Sequence, residues 1–91
     1  MALRWAASAR ADLVRIHDFL EPVHSRAAAF AVRQVVAGVK RIPAHPRLGN
    51  RLPGFGHREV RRLLVGAYEL RYAVMGKDIV ALRIFHTRED R

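Results

Sequence analysis

Apolar and polar residues alternate over Ala2–Trp5, and apolar residues then recur every three or four positions over residues 9–20. Alternation predicts a short β-strand, and the wider spacing predicts an amphipathic helix with Ser8 as its N-cap. A second helical pattern follows Ser25, which is another N-cap candidate, and it stops before Pro43. We expect the two helices to form an antiparallel hairpin whose apolar stripes share one face of a sheet.

Three later segments, residues 58–65, 67–75 and 79–85, are rich in Val, Leu, Ile, Tyr and Phe. They predict a three-stranded antiparallel meander. Residues 43–56 hold three of the four prolines and three of the six glycines, which predicts an extended loop. The chain therefore predicts an α+β fold, in which an N-terminal strand and a helix hairpin pack on a small antiparallel sheet. With 91 residues and no internal repeat, we expect a single domain over residues 1–91.

The last predicted hairpin also allows its two faces to be assigned, because cross-strand neighbours share a face. The apolar face, expected to meet the helices, combines Tyr68, Leu70, Tyr72 and Val74 with Val80, Leu82, Ile84 and His86. The open face combines Glu69, Arg71, Ala73 and Met75 with Ile79, Ala81, Arg83 and Phe85. This register assumes that the turn is not the two-residue one at 76–77, which would set Arg83 on the core side. Because Arg71 and Arg83 repel each other, we expect Glu69 to neutralise them.

The charge balance points to an anionic partner. The chain has 17 Lys and Arg residues against 8 Asp and Glu residues, a formal charge of +9. Such a potential attracts DNA, RNA or an acidic protein segment. The densest basic segment, opposed only by Glu59, comprises Arg47, Arg51, His57, Arg58, Arg61 and Arg62. Guanidinium groups pair bidentately with phosphate and carboxylate, although a solvated surface that keeps the protein soluble is the simpler interpretation.

Several classes of chemistry find no support. The absence of cysteine excludes disulfides and thiol chemistry, the histidines lack metal-ligand spacing, and the glycines form no phosphate loop. We therefore expect no metal and no cofactor. The apolar stretches are too short to span a bilayer and the N-terminus lacks a signal-peptide core, so we expect a soluble cytoplasmic protein. His86 could act as a general acid or base, or its ring could simply pack against Tyr68.

Several short motifs occur in a recognisable order along the chain. They are the strand ending in Trp5, the helix sequence ADLVRIHDFL of residues 11–20, Ile42-Pro43 with Gly49 downstream, Arg58-Glu59-Val60, Tyr68-Glu69-Leu70-Arg71-Tyr72 and Ile84-Phe85-His86-Thr87-Arg88. This ordered set, which spans nearly the whole chain, resembles the RelE/ParE toxin superfamily and is most similar to its ParE branch. The resemblance implies a bacterial type II toxin, encoded beside a small antitoxin whose C-terminal segment wraps and neutralises it.

The resemblance leaves two mechanisms open. RelE-like members are ribosome-dependent endonucleases that cut mRNA, whereas ParE-like members are DNA gyrase poisons without a catalytic centre. Glu69 stands where such nucleases carry an arginine, and no tyrosine follows His86. His86 and Arg88 match nuclease positions and would be the catalytic pair of a nuclease. The resemblance therefore favours a gyrase poison. An mRNA endonuclease, or a non-toxic antitoxin-binding or autoregulatory partner, remains the alternative.

An acidic antitoxin segment, or the target, is expected to pair with outward-facing arginines on the open sheet face or the helix hairpin. The residues predicted to bind it are Arg58, Arg61, Arg62, Arg71, Arg83 and Arg88.

Overall fold

The computed structural model describes residues 2–88 of the chain. Its elements are β1 (Ala2–Trp5), α1 (Ala7–Leu20), α2 (Ser25–Lys40), a 3₁₀ turn (Ile42–Ala44), β2 (Asn50–Arg51), β3 (Glu59–Val65), β4 (Tyr68–Met75) and β5 (Asp78–His86). The strands form one sheet in the order β1-β5-β4-β3-β2, in which β1 is parallel to β5 and every other pair is antiparallel. The predicted α+β architecture is confirmed. Two features are new: the parallel β1, which makes the sheet mixed, and the short β2 inside the predicted loop.

The two helices cover one face of the sheet and enclose the core with it. Fully buried side chains from α2, β4 and β5 meet there, among them Val35, Val39, Leu70, Tyr72 and Ile84. Trp5, Leu13 and Leu63 pack against this cluster from its margin. No helix of residues 2–88 covers the opposite face of the sheet.

The N-terminal caps of both helices differ from the predicted ones. α1 begins at Ala7, so Ser8 lies inside the helix, and its hydroxyl donates to the Leu82 carbonyl over 2.7 Å instead of capping. α2 begins at Ser25 and is capped by His24, whose Nδ1 accepts from the Ala27 amide over 3.0 Å. A neutral imidazole nitrogen can thus take the place of the expected serine oxygen.

The predicted register of the last hairpin is right in one half and wrong in the other. Tyr68 pairs with His86 and Arg71 with Arg83, as expected, but Tyr72 pairs with Ala81 and Val74 with Ile79. Two consecutive residues of β4, 71 and 72, therefore face β5 residues 83 and 81, which leaves Leu82 as a bulge.

This bulge corrects the face assignment of β5. The turn is the two-residue one at 76–77, since Met75 pairs with Asp78. Ile79 and Ala81 consequently point into the core and are fully buried, whereas Val80 and Leu82, which were expected there, do not belong to the core cluster. The extra residue then reverses the alternation and returns Arg83 to the open face.

Among residues 2–88, no helix combines the length and the apolar character needed to cross a membrane.

Candidate functional site

α1 seals the part of the β5 edge that β1 does not cover. β1 ends opposite Ala81, and β5 continues to His86. Along this continuation the Asp12 carboxylate accepts from the Ile84 amide over 2.8 Å, and an Arg15 Nη donates to the Ile84 carbonyl over 3.0 Å. Helix side chains thus satisfy strand groups that would otherwise offer a free edge to another chain.

Asp12 also holds an arginine of the open face. Its carboxylate accepts from Nε of Arg83 over 2.8 Å and from Nη2 over 3.3 Å, while the residue itself is only 4% exposed. Burial raises the pKa of Asp12, but the hydrogen bonds from Arg83 and Ile84 and the charges of Arg83 and Arg15 outweigh it. The pKa is lowered overall, so Asp12 remains an anion at neutral pH.

Three arginines form a row across the open face. Arg62 of β3 pairs with Arg71 of β4, which pairs with Arg83 of β5. Beside the row, Glu69 is 1% exposed and accepts from Nε of Arg71 over 2.8 Å, with Nη1 of Arg62 at 3.8 Å. The expected pairing of Glu69 with Arg71 is confirmed, and Asp12 supplies the carboxylate described above for Arg83.

Phe85 separates two guanidinium groups of this row. The Arg71 and Arg83 guanidinium carbons lie 5.1 Å and 4.7 Å from the centroid of its ring. Cation–π attraction to a shared ring offsets part of the repulsion between the two charges. The charges of the arginine row are therefore partly compensated by the neighbouring carboxylates and by the Phe85 ring.

Arg61, predicted to belong with this group, lies on the other face of β3. Its Nε donates to Glu59 over 2.7 Å and its Nη1 donates to the Gly49 carbonyl over 2.7 Å. The hydrogen bond from Arg61 lowers the pKa of Glu59 and outweighs the opposing effect of partial burial, with further lowering from Arg47 and Arg51. Arg61 thus fastens the loop before β2, and it is not part of the arginine row.

Tyr72 fastens the same loop. Its buried hydroxyl accepts from the Gly49 amide over 2.9 Å and donates to the Pro46 carbonyl over 2.8 Å. Burial raises the pKa of Tyr72 and outweighs the lowering by Gly49 and Arg61. The loop that precedes β2 is therefore held in place by groups from β3 and β4.

A cavity of about 580 Å³ opens where α1 ends beside the start of β4 and the end of β5. It is lined by Arg15, Ile16, Phe19, Leu20, Tyr68, His86 and Arg88. Its walls are largely apolar and aromatic, and guanidinium groups stand among them. This combination suits an apolar side chain or a base that neighbours an anionic group.

Two of the three rings that line the cavity, those of Tyr68 and His86, pack against each other. The Tyr68 and His86 rings meet edge to face, with centroids 5.4 Å apart, so the predicted packing of His86 on Tyr68 is confirmed. The Arg88 amide donates to Nδ1 of His86 over 3.1 Å, which leaves the proton of a neutral ring on Nε2.

The predicted binding residues consequently fall into separate places. Arg62, Arg71 and Arg83 share the open face, Arg88 lines the cavity, and Arg58 is exposed just before β3. Among residues 2–88, no group of three or more His, Asp or Glu side chains is arranged to hold a metal ion.

Sequence reasoning missed Asp12 and Arg15, which organise the β5 edge. A signal for Asp12 was present, because it falls on the same helical stripe as Ala9 and Ile16, and all three are buried. An acidic residue on a buried stripe requires a partner, and Arg83 supplies it.

Known proteins share both the sequence pattern and this fold. The family model described as the ParE toxin of the type II toxin-antitoxin system, parDE, matches residues 3–91. The chain is similar to a structure of the chromosomal ParDE toxin–antitoxin system from P. aeruginosa, with 30% identity, a TM-score of 0.80 and coverage of 94% of this chain and 95% of that one. It is also similar to a structure of the toxin–antitoxin complex RelBE2 from Mycobacterium tuberculosis, with 25% identity, a TM-score of 0.56 and coverage of 93% and 95%. No curated protein sequence matches. The match over nearly the whole chain, together with the strand and helix order described above, shows that this chain belongs to the ParE toxin family of type II toxin–antitoxin systems.

Proposed function

We propose that this chain arrests bacterial growth by binding and poisoning DNA gyrase, and that a small cognate antitoxin with an acidic C-terminal segment neutralises it. In this proposal the toxin acts by binding alone and has no catalytic centre. Membership of the ParE family and the likeness to a ParDE system support the proposal.

The observation that carries it is the buried carboxylate of Glu69 in the open face. Cleavage of a phosphodiester requires cationic donors aimed at the charge that develops on the phosphate. Here Arg71 and Arg62 are directed to Glu69, and Arg83 is directed to Asp12. A scissile phosphate placed on this face would meet an anion and guanidinium groups that are already engaged, which argues against catalysis there.

The same face suits an acidic antitoxin. Arg62 and Arg83 each keep more than 40% of their side-chain surface exposed. Both can therefore bind a second carboxylate while Arg62 stays paired with Glu69 and Arg83 with Asp12. Arg58 and Arg88 add exposed positive charge at the margins. Electrostatic complementarity of this kind speeds association and selects the partner. An adjacent reading frame that encodes a short protein with an acidic C-terminal half would identify that partner.

A bacterial expression experiment with the chain and its His86→Ala variant tests the proposal. The wild-type chain should arrest growth and induce the DNA-damage response, and co-expression of the antitoxin should relieve both effects. His86→Ala should remain toxic, because a binding poison needs no general acid or base. Unimpaired growth without the antitoxin would contradict the proposal and would favour a non-toxic, autoregulatory partner.

The cavity that contains His86 and Arg88 favours a second candidate, a ribosome-dependent mRNA endonuclease. There Tyr68 and His86 supply groups that can exchange protons, and Arg15 and Arg88 supply positive charge. In that case primer extension on translating ribosomes should reveal cuts in the A site, and His86→Ala or Arg88→Ala should abolish both the cuts and the toxicity.

A further inference from the structure

The segment that joins β2 to β3 carries an aromatic residue, Phe55, that is partly exposed. Phe55 stands between Gly54, with φ of 90°, and Gly56, with φ of 62°. A Cβ atom built on either glycine would meet nothing within 4 Å, so the backbone at the tip is surrounded by open space. Phe55 as a residue is 36% exposed. We call residues 51–58, which are the last residue of β2 and the segment that leads to β3, the β2–β3 loop.

Positive charge flanks this ring on both sides. Arg51 at the end of β2 and Arg58 just before β3 are both exposed, and neither guanidinium lies within ion-pair distance of a carboxylate in the part of the chain covering residues 2–88. Glu59, whose pKa the charge of Arg51 helps to lower, is already bound by Arg61 over 2.7 Å and by Arg47 over 3.3 Å. Within residues 2–88 the loop therefore offers two arginines that form no ion pair, beside an acid that is bound by Arg61 and Arg47.

We propose that the β2–β3 loop binds a single-stranded nucleic acid, with Phe55 stacking on an unpaired base and Arg51 and Arg58 contacting the flanking phosphates. An aromatic ring beside a cationic track is the arrangement by which proteins hold single strands without reading their sequence. This inference does not depend on gyrase as the target.

An acidic peptide is the competing ligand, and the distribution of apolar surface disfavours it. Peptides that dock on a protein rely on several apolar anchors. Of the exposed large apolar residues, Val14, Phe19, Val23 and Phe30 lie on the helix hairpin and its connection, and Leu64 and Met75 lie on strands of the sheet. The β2–β3 loop presents one large exposed apolar residue, Phe55, with an arginine at each end of the loop, which suits a strand of phosphates and bases better.

Fluorescence anisotropy with the full-length chain tests the proposal. The probes are a labelled 12-nucleotide DNA strand, the same sequence as RNA, and the corresponding DNA duplex, each titrated at several salt concentrations. The double variant Arg51→Gln, Arg58→Gln should bind the single strands more weakly and reduce the slope of log K against log salt by about 1.4, or about 0.7 for each phosphate contact. The control Arg26→Gln, Arg33→Gln removes the same charge from exposed positions of α2 and should leave that slope unchanged.

A second pair of variants isolates the ring. Phe55→Ala should weaken binding of the single strands by about fivefold or more without changing the salt slope, and it should affect the duplex less, because only unpaired bases stack on a ring. Phe30→Ala removes a more exposed ring from α2 and should have no such effect. Circular dichroism of every variant confirms that the fold is retained.

Three results would overturn the inference. The first is an equal loss of affinity in the double variant Arg51→Gln, Arg58→Gln and in the control Arg26→Gln, Arg33→Gln, which would mean that net charge alone governs binding. The second is equal behaviour of Phe55→Ala and Phe30→Ala. In the third, the double variant Arg51→Gln, Arg58→Gln binds a glutamate-rich peptide more weakly than the wild-type chain does, but its affinity for every nucleic acid is unchanged. That result would assign the loop to an acidic protein.

Discussion

Replacing Asp12 with asparagine should destabilise the fold far more than its position on a solvent-facing helix suggests. Oδ2 of Asp12 accepts both the Ile84 amide and Nε of Arg83, each over 2.8 Å, and Oδ1 accepts a further contact from Arg83 over 3.3 Å. Asparagine keeps one oxygen for Ile84 and Nε of Arg83, but its NH₂ group takes the place of Oδ1 and faces Nη2 of Arg83 and Nη2 of Arg15. The change therefore removes the charge and sets donor against donor.

The expected cost follows from this geometry. A hydrogen bond to a charged group contributes about 1.5–3 kcal/mol, and Arg83 is about half exposed and can recover water, which favours the lower part of that range. We expect Asp12→Asn to lower the free energy of unfolding by about 2 kcal/mol. Asp12→Ala also strands the Ile84 amide, so about 3–4 kcal/mol is expected. Both losses are a large fraction of the stability of a small domain.

Urea unfolding followed by the fluorescence of Trp5, the only tryptophan, measures these losses. Because the folded pKa of Asp12 is lowered, its charge stabilises the fold above the ordinary carboxyl value of about 3.9. That stabilisation disappears as the pH falls through the lowered folded pKa. The difference between wild type and Asp12→Asn should thus be full near neutral pH and shrink below about pH 4.

The matched control is Asp18→Asn, because the Asp18 carboxylate is mostly exposed and its ion pair within residues 2–88 is with His17; this change should alter stability by less than about 0.5 kcal/mol. Equal stabilities of wild type and Asp12→Asn at neutral pH would refute the reasoning. So would a difference between them that does not change down to pH 3.

Three further substitutions test other contacts through their urea midpoints. Gly38→Ala should lower the free energy of unfolding by about 1–2 kcal/mol despite the better helix propensity of alanine, because its Cβ would lie 2.6 Å from a Val65 methyl carbon. Val65→Ala in the same chain should restore most of that loss, and no recovery would contradict the steric account. Tyr72→Phe should lower the free energy of unfolding by about 1–2 kcal/mol, since the Gly49 amide loses its acceptor. An unchanged urea midpoint would show that water replaces the hydroxyl. His24→Ala should lower the free energy of unfolding by about 1 kcal/mol, whereas His24→Asn should keep the cap. Equal stabilities of these two variants would rule out capping by residue 24.

The order of helices and strands was predictable because each follows from local periodicity. The pairing of β1 with β5 was not, since Leu3 and Ile79 are far apart in the chain and alternation within β1 does not say which strand it joins. The short β2 was hidden for the same reason: its two residues are ordered by pairing with Arg61 and Arg62.

The bulge at Leu82 shows where face assignment failed. A two-residue turn combined with regular alternation buries Arg83, so the sequence pattern argues against that turn. The structure keeps the short turn and inserts one extra residue, and Asp12 then accepts both the Ile84 amide and the Arg83 side chain just beyond it. Such a bulge depends on a contact from α1, which no pattern within β5 encodes.

The candidate site was predictable in part for a related reason. Alternation placed Glu69, Arg71 and Arg83 on one face, but it could not show that Arg62 completes the row, because the register of β3 against β4 is set by pairing. Arg61 was grouped with Arg62 by adjacency alone, although neighbours along a strand point to opposite faces.

A supercoiling assay with purified DNA gyrase and the purified chain tests the central claim most directly. Titration of the wild-type chain should abolish supercoiling and accumulate cleaved DNA that remains attached to gyrase, and the His86→Ala variant should do the same. Full supercoiling at saturating toxin, accompanied by A-site cuts in mRNA on translating ribosomes, would contradict the account.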